Sequence, residues 1–314
     1  MNKLSIIIPV YYSEDTLMDL YNDLKGKVLP KLEDYEIVMV DDGSGDSSRQ
    51  IMQDIQKLDP GHVKCVHLSR NFGEHAAILA GLNVCTGDCA VTKQADMQEE
   101  SELILRMYES WENGNKVVLA VRKDREEGKL YQFCAKLYYK LMRKIVNPNM
   151  PEGGFDCYLL DRKVIEVLKM LDEKNSALTL QVLWVGFKSE KIYFSRKARE
   201  KGKGRWTMAK RIKLIIDSVM SFSYFPVRLM SVMGVIFFIA SVIGIIMCIV
   251  EIVTTGVRTV GWASLMTVML FATGIMMLML GMLGEYVWRA LDASSNRPPF
   301  LIEEVIDETD KGNE

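Results

Sequence analysis

Residues 89–100 read CAVTKQADMQEE, an apolar run followed by polar residues. The run 89–92 has the composition of a buried strand, and Asp96 and Gln98 follow it two positions apart. In near-extended chain such side chains point to the same side, so a carboxylate and an amide oxygen form a pair of hard ligands. Two ligands suit Mg²⁺ or Mn²⁺ only when phosphates and water complete the coordination shell. The stretch therefore predicts a metal-diphosphate site; the alternative is a polar start of the following helix.

Short apolar runs that end in polar residues recur along the first two thirds of the chain. The predicted strands are 4–10, 35–40, 63–68, 89–92 and 116–121. Segments with helical periodicity separate them, and this strict alternation requires a parallel sheet with right-handed crossovers. Ligands bind such sheets at the carboxyl ends of the strands. Because Pro9, Asp41, Asp42 and Asp96 all fall there, we predict the site at that edge.

The residues after the first strand exclude a dinucleotide-binding fold. Residues 11–14 read YYSE, and no G-x-G-x-x-G motif is present at this position. Asp41 or Asp42 would suit the base N–H or the ribose hydroxyls of a nucleotide. The sequence Asp-Gly-Ser is also typical of a turn, so the alternative for one of the two aspartates is a role in forming that turn only.

The chain changes character near residue 208. Residues 208–225 predict an amphipathic helix in a membrane interface. Residues 229–250 and 262–283 carry no charge and are long enough to cross a hydrocarbon core of ~30 Å; a buried hairpin of a soluble protein is the alternative. Basic residues precede the first span, whereas the intervening loop carries only Glu251 and Arg258. We therefore predict a cell-membrane protein with two spans, whose catalytic domain and both termini are cytoplasmic.

The predicted organisation has four parts. They are an α/β domain at 1–207, an interfacial amphipathic helix at 208–227, a two-helix transmembrane hairpin at 228–287 and a cytoplasmic tail at 288–314. The formal net charge of −2 argues against nucleic acid as the main partner. A homo-oligomer is left open.

Basic residues near the end of the first part suit phosphate chemistry. Arg196, Arg199, Lys203 and Arg205 could neutralise two phosphate groups, and nearby glycines would let this segment close over the site. The alternative is a solvated face or a patch on anionic lipid. Arg122, after the last predicted strand, has the same potential toward phosphate, and its alternative is a surface ion pair.

Six motifs together resemble a known family. They are SIIIPVY at 5–11, VDDGS at 40–44, SRNFGEH at 69–75, DMQ at 96–98, DCYLLDR at 156–162 and GEY at 284–286. In this combination the chain resembles the inverting family 2 glycosyltransferases of GT-A fold. It resembles more closely the membrane-bound polyprenyl-phosphate glycosyltransferases, the group that includes dolichol-phosphate mannosyltransferase and bactoprenol glucosyltransferase. The resemblance covers nearly the whole chain.

The resemblance implies roles for individual residues. Pro9, Tyr11 and one aspartate of the 41–42 pair would hold the nucleotide, while Asp96 and Gln98 would bind the divalent metal, Mg²⁺ or Mn²⁺. Asp156 matches a family carboxylate near the sugar, and we assign it to positioning the donor sugar or the acceptor. The alternative for Asp156 is a role at a helix N-terminus beside Asp161.

The chain departs from the family pattern at the donor site. Residues 94–96 are Gln-Ala-Asp where the family usually has Asp-x-Asp, so the first carboxylate, which would meet sugar or ribose hydroxyls, is a neutral amide. Tyr12-Ser13 replace a common Asn-Glu, which leaves Glu14 as the nearest acid. Gln94, Ala95 and Glu14 stay donor-binding candidates, and restoring the family pattern with Gln94→Asp is expected to keep activity or change sugar preference.

The implied reaction is inverting, metal-dependent transfer from a UDP- or GDP-linked sugar to an undecaprenyl-type polyprenyl phosphate at the cytoplasmic membrane face. A phosphate monoester has a second pKa of ~6, so its dianion needs no strong base. Two alternatives stay open: a subunit of a processive polysaccharide synthase, and a non-catalytic membrane scaffold derived from a glycosyltransferase. The synthase is disfavoured because Gly202 stands where a Q-x-x-R-W motif needs Gln. The sequence names neither the sugar, the base nor the lipid length.

Overall fold

A computed structural model describes most of the chain. The described residues are 2–123, 139–140, 142–144, 147–171, 177–195, 217–221, 223, 225–255, 261–295 and 297–307. The chain divides into two compact units, Met1–Leu214 with Pro298–Glu314, and Ile215–Arg297. The basic residues Arg196, Arg199, Lys203 and Arg205 and most of the predicted interfacial helix lie outside the described residues.

An eight-stranded sheet forms the centre of the first unit. Its strands are β1 Lys3–Val10, β2 Asp34–Asp41, β3 Val63–Leu68, β4 Cys89–Thr92, β5 Val117–Arg122, β6 Phe155–Asp161, β7 Ser189–Phe194 and β8 Ile302–Ile306. The strand order is β7-β5-β6-β4-β1-β2-β3-β8, and β4, β1, β2 and β3 pair in parallel. All five predicted strands are present, which confirms the predicted α/β class with a parallel-rich sheet.

Two strands run against their neighbours. Strand β6 pairs antiparallel with both β4 and β5, and β8 pairs antiparallel with β3. Neither strand was among the five that the sequence predicted, and the sheet is parallel-rich but not wholly parallel. Alternation fixes strand direction only where one helix joins consecutive strands, and residues 123–154 separate β5 from β6. As a result, the first residues of β6 lie at the edge where the parallel strands end.

The helices of the first unit pack on this sheet through apolar faces. They are α1 Leu17–Lys27, α2 Ser48–Leu58, α3 Glu74–Val84, α4 Leu103–Glu112, α5 Arg162–Met170 and α6 Leu178–Trp184. In α1, Leu17, Leu20 and Leu24 recur at helical spacing and are at most 1% exposed. Each such buried side chain contributes about 1.5–3 kcal/mol relative to an exposed one. This packing fixes the sheet that carries the polar edge.

The tail strand β8 belongs to the first unit although it follows the apolar helices in sequence. Arg49 Nη2 lies 2.8 Å from Glu304 Oε2, and Gln56 Nε2 donates to Ile306 O at 3.0 Å. Lys64 Nζ lies 2.9 Å from Asp307 Oδ2. The sequence did not predict this strand, because a short run interrupted by two glutamates has no distinct strand pattern.

Glu36 is a buried carboxylate in β2, far in sequence from its partners. Its Oε1 accepts from Ser5 Oγ at 2.6 Å, and its Oε2 accepts from Thr86 Oγ1 at 2.9 Å and lies 3.5 Å from Lys3 Nζ. Burial opposes ionisation of Glu36, but the hydrogen bonds from Ser5 and Thr86 and the charge of Lys3 outweigh it and lower the pKa of Glu36. The ionised carboxylate therefore stabilises the fold.

Glu36→Gln is expected to destabilise the protein at pH 7 more than at acid pH. A lowered folded-state pKa gives stability that is present above the unfolded carboxyl pKa of ~4.3 and is lost as pH falls through the folded value. Urea unfolding of the full chain in detergent at both pH values measures the difference. The exposed Glu33→Gln serves as a control. An equal loss at both pH values would contradict the assignment.

The second unit contains two long apolar helices, α7 Phe225–Thr255 and α8 Trp262–Ser294. Each contains a stretch that is long and apolar enough to cross a membrane, Phe225–Gly244 in α7 and Phe271–Ser294 in α8. Neither stretch is buried. This exposure contradicts the alternative of a buried soluble hairpin. Helix α8 continues to Ser294, past residue 283 at which the second predicted span ends. In this continuation Arg289 Nη2 lies 2.6 Å from Asp217 Oδ1.

Candidate active site

The carboxyl ends of the parallel strands bring the predicted site residues to one edge of the sheet. Val10 pairs with Asp41 and Ile7 pairs with Thr92, so the loops after β1, β2 and β4 start side by side. Strand β6 adds its amino end at the same edge because it runs antiparallel to β4. Residues far apart in the sequence thus form one polar surface.

The loop after β4 is a turn and not an extended chain. Met97 has a φ of +56°, and Gln98 N donates to Asp96 Oδ1 at 3.2 Å. The expectation of near-extended geometry was therefore wrong, because the left-handed Met97 reverses the chain. Asp96 and Gln98 are nevertheless neighbours and half-buried, while Ala95 is buried against the core. The turn thus holds the backbone of Gln98 next to the Asp96 carboxylate.

A buried lysine closes this loop. Lys93 is 1% exposed; its Nζ donates to Glu99 O at 2.6 Å and lies 3.8 Å from Glu99 Oε2. Lys93 N donates to Ile7 O at 2.8 Å, which fixes the loop to β1. Because a buried ammonium requires a partner, this pair holds the ends of the loop in register. Sequence reasoning gave Lys93 no role; its position directly after an apolar run was the available signal.

Gln94 faces a carboxylate from another loop. Its Nε2 donates to Glu74 Oε1 at 2.6 Å, and both side chains are half-buried. Glu74 is the first residue of α3 and follows Gly73, whose φ of +99° allows the chain to turn into the helix. Sequence reasoning did not single out Glu74, because its partner is distant in the chain.

Asp41 closes the turn after β2. Its Oδ1 accepts from Ser44 N at 2.9 Å, and His67 Nδ1 lies 3.5 Å from its Oδ2. Burial opposes ionisation of Asp41, but the contacts with His67 and Ser44 outweigh it and lower the pKa of Asp41. Asp41 is therefore an anion at neutral pH, held close to the predicted nucleotide site.

Asp42 fixes the loop after β3. Its Oδ1 accepts from Phe72 N at 2.7 Å, and its Oδ2 accepts from Gly73 N and Asn71 Nδ2, each at 2.9 Å. Gly43 permits this approach, since a Cβ there would lie 2.8 Å from Asn71 N and its φ is +70°. Both aspartates thus have structural partners. Which of them also meets a nucleotide stays a prediction.

The loop after β1 presents two aromatic rings. Tyr11 is 37% and Tyr12 41% exposed, and their ring centroids lie 4.8 Å apart. Pro9 is buried within β1 and does not line this exposed surface. Glu14 Oε2 accepts from Ser47 N at 2.9 Å, which ties this loop to the loop after β2. Nucleotide contacts by Pro9, Tyr11 and Glu14 stay predictions.

Arg122 and Asp156 form an ion pair where β5 ends and β6 begins. Tyr158 N donates to Thr92 Oγ1 at 3.1 Å, which fixes the start of β6 beside the end of β4. Arg122 thus has an ion-pair partner in this structure, and its contact with phosphate stays a prediction. Helix α5 is capped by Asp161, whose Oδ1 accepts from Lys163 N at 3.1 Å. The alternative that Asp156 serves a helix N-terminus is therefore wrong.

The donor set at Asp96 and Gln98 fits a divalent cation that brings other ligands with it. Among the described residues, no group of three or more His, Cys, Asp and Glu side chains could hold a metal ion. A carboxylate and an amide oxygen are hard donors, and Mg²⁺ is commonly bound through one or two protein oxygens plus substrate phosphates. These residues fit that arrangement.

Comparison with known proteins decides the family. The model of glycosyl transferase family 2 matches residues 5–169, more than half of the chain, and includes every described candidate site residue. The glycosyltransferase YkcC of Bacillus subtilis is 34% identical over 302 residues, covering 96% of this chain and 93% of its own. The chain belongs to glycosyl transferase family 2.

Further relatives of this family 2 glycosyltransferase cover the apolar helices as well. The prophage bactoprenol glucosyl transferase homolog of Escherichia coli is 33% identical over 305 residues, covering 96% of this chain and 99% of its own. Among solved structures, mannosyltransferase PcManGT from Pyrobaculum calidifontis, in complex with GDP-Man and Mn²⁺, is 16% identical. The match covers 68% of this chain and 60% of the PcManGT chain, with a TM-score of 0.47. The predicted enzyme class, glycosyltransferase, is thus confirmed.

Proposed function

We propose that this glycosyltransferase transfers a sugar from a UDP- or GDP-linked donor to an undecaprenyl-type polyprenyl phosphate, with inversion and with Mg²⁺ or Mn²⁺. The proposal depends on one observation. The same chain contains a glycosyl transferase family 2 domain and two exposed apolar helices. Its similarity to a bactoprenol glucosyl transferase homolog extends over 96% of the chain.

The acceptor follows from chemistry at a membrane surface. The two apolar helices would keep the site near lipid head groups, where a polyprenyl phosphate presents its phosphate. The charge asymmetry about the spans supports a cytoplasmic site and cytoplasmic termini. Arg196, Arg199, Lys203 and Arg205 would neutralise the donor and acceptor phosphates.

The reaction is a single displacement. An acceptor phosphate oxygen forms a bond to the anomeric carbon from the face opposite the nucleotide, while the bond from that carbon to the diphosphate oxygen breaks. One displacement inverts the configuration, and the electron pair leaves with the nucleoside diphosphate. The acceptor is already an anion, so alignment and charge neutralisation are the main tasks of the protein.

Named residues divide these tasks. Asp96 and Gln98 would hold the metal, which when bound stabilises charge on the departing diphosphate. Asp156, fixed by Arg122, would orient the sugar or the acceptor. Asp41, an anion at the end of β2, would accept from the nucleoside. Lys93 keeps the metal-binding loop in register.

A donor and acceptor panel tests the proposal. Purified full-length protein in detergent would be incubated with polyprenyl phosphate and a set of UDP- and GDP-linked sugars. We expect one donor to give a lipid carrying a single sugar, and we expect the matched polyprenol without phosphate to be inert. A polymeric product would favour the processive synthase. Absence of transfer to lipid phosphate from every donor would overturn the proposal.

A further inference from the structure

The neutral side chain of Gln94 is in contact with the carboxylate of Glu74. The Nε2···Oε1 distance of 2.6 Å is a short hydrogen bond from an amide to a carboxylate. Glu74 is held in place on its own side, because the preceding Gly73 N donates to Asp42 Oδ2. A carboxylate is therefore present beside position 94, but it comes from α3.

The negative charge of Glu74 reaches two other buried groups. Burial raises the pKa of Asp42, and the charges of Asp41 and Glu74 raise it further against the hydrogen bonds from Phe72 and Gly73. Burial likewise raises the pKa of Tyr158, with a further contribution from Glu74. Tyr158 lies in β6 two residues after Asp156, so the charge of Glu74 acts close to the residue that we assign to the sugar.

We propose that Glu74 is a donor-specificity residue whose carboxylate, oriented by Gln94, accepts hydrogen bonds from hydroxyls of the donor sugar. This inference rests on the proposed nucleotide-sugar function. Glu74 would then supply, from helix α3, a carboxylate beside position 94, where this chain lacks the first carboxylate of the Asp-x-Asp pattern.

The proposed role of Glu74 leads to a different expectation for Gln94→Asp from the one drawn from the sequence. Gln94→Asp would place two carboxylates at hydrogen-bond distance, where one of them must bind a proton or move away. The single change therefore weakens the site, even though it restores the commoner family pattern. An exchange of the two side-chain types keeps one amide and one carboxylate in contact.

Binding measurements on four proteins test this exchange. The parent, Glu74→Gln, Gln94→Asp and the double variant Glu74→Gln/Gln94→Asp would be titrated calorimetrically with the nucleotide sugar and with the bare nucleoside diphosphate, in Mn²⁺. Loss of one hydrogen bond to a charged group corresponds to about 10-fold or more in affinity. We expect each single variant to lose this much for the nucleotide sugar and the double variant to recover most of it.

The bare nucleoside diphosphate separates a sugar contact from a structural role. We expect its affinity to change little in Glu74→Gln, and the exposed Glu109→Gln to match the parent with both ligands. Equal losses for both ligands, or a double variant as weak as the single ones, would overturn the proposal. Because binding needs no acceptor, failure of transfer to lipid phosphate would leave this test intact.

Discussion

Asp96→Asn is expected to abolish sugar transfer while the protein stays folded. The substitution removes the charge of the Asp96 carboxylate but keeps an oxygen that can accept the Gln98 N–H, which lies at 3.2 Å in the parent. If Asp96 anchors the metal, loss of several kcal/mol at the departing diphosphate lowers turnover about 10²-fold or more.

Gln98→Ala provides the matched comparison for Asp96→Asn. It removes one neutral ligand that water can replace, so we expect a smaller loss. Initial rates measured against Mn²⁺ and Mg²⁺ concentration distinguish the two variants. Parent-level activity in Asp96→Asn, or transfer that chelator does not affect, would contradict a metal-dependent site.

Asp42→Ala is expected to produce the largest loss of stability. The carboxylate is 3% exposed and accepts from three nitrogens of residues 71–73. Its removal leaves the half-buried N–H groups of Phe72 and Gly73 without this acceptor, which costs about 2 kcal/mol or more in total. The same loop leads into Glu74, so nucleotide-sugar binding should weaken as well.

A surface carboxylate controls for the loss of charge in Asp42→Ala. Asp54 accepts from Lys57 Nζ at 3.0 Å with its side chain 48% exposed, so Asp54→Ala should leave the unfolding midpoint close to that of the parent. Urea unfolding of the full chain in detergent measures both variants. An unfolding midpoint for Asp42→Ala equal to that of the parent would show that the loop is held by other contacts.

The parts of the fold that depend on local pattern were predictable from the sequence. Continuous apolar runs such as residues 4–10 identified the five predicted strands, and the helices between them set their parallel direction. The direction of β6 and the presence of β8 were not predictable in this way. Both depend on pairing with strands far away in the chain, and β8 follows two apolar helices.

The candidate site shows the same division. Residues at strand ends, such as Asp41 and Asp96, were identified because the sheet rule places them at one edge. Lys93 and Glu74 were missed because their roles depend on partners that only the folded loops bring close. Asp42 was predicted to be a nucleotide ligand or a turn residue, and its additional contacts with the loop after β3 were missed for the same reason.

Anomalous scattering from Mn²⁺ would test the proposed metal-assisted site most directly. Crystals of the full-length protein with Mn²⁺ and a nucleotide sugar should show one peak next to the Asp96 carboxylate, with Gln98 and the diphosphate beside it. The sugar should lie toward Glu74 and Asp156. A nucleotide sugar bound elsewhere, or bound at this edge with the Mn²⁺ peak away from Asp96, would contradict the proposed mechanism.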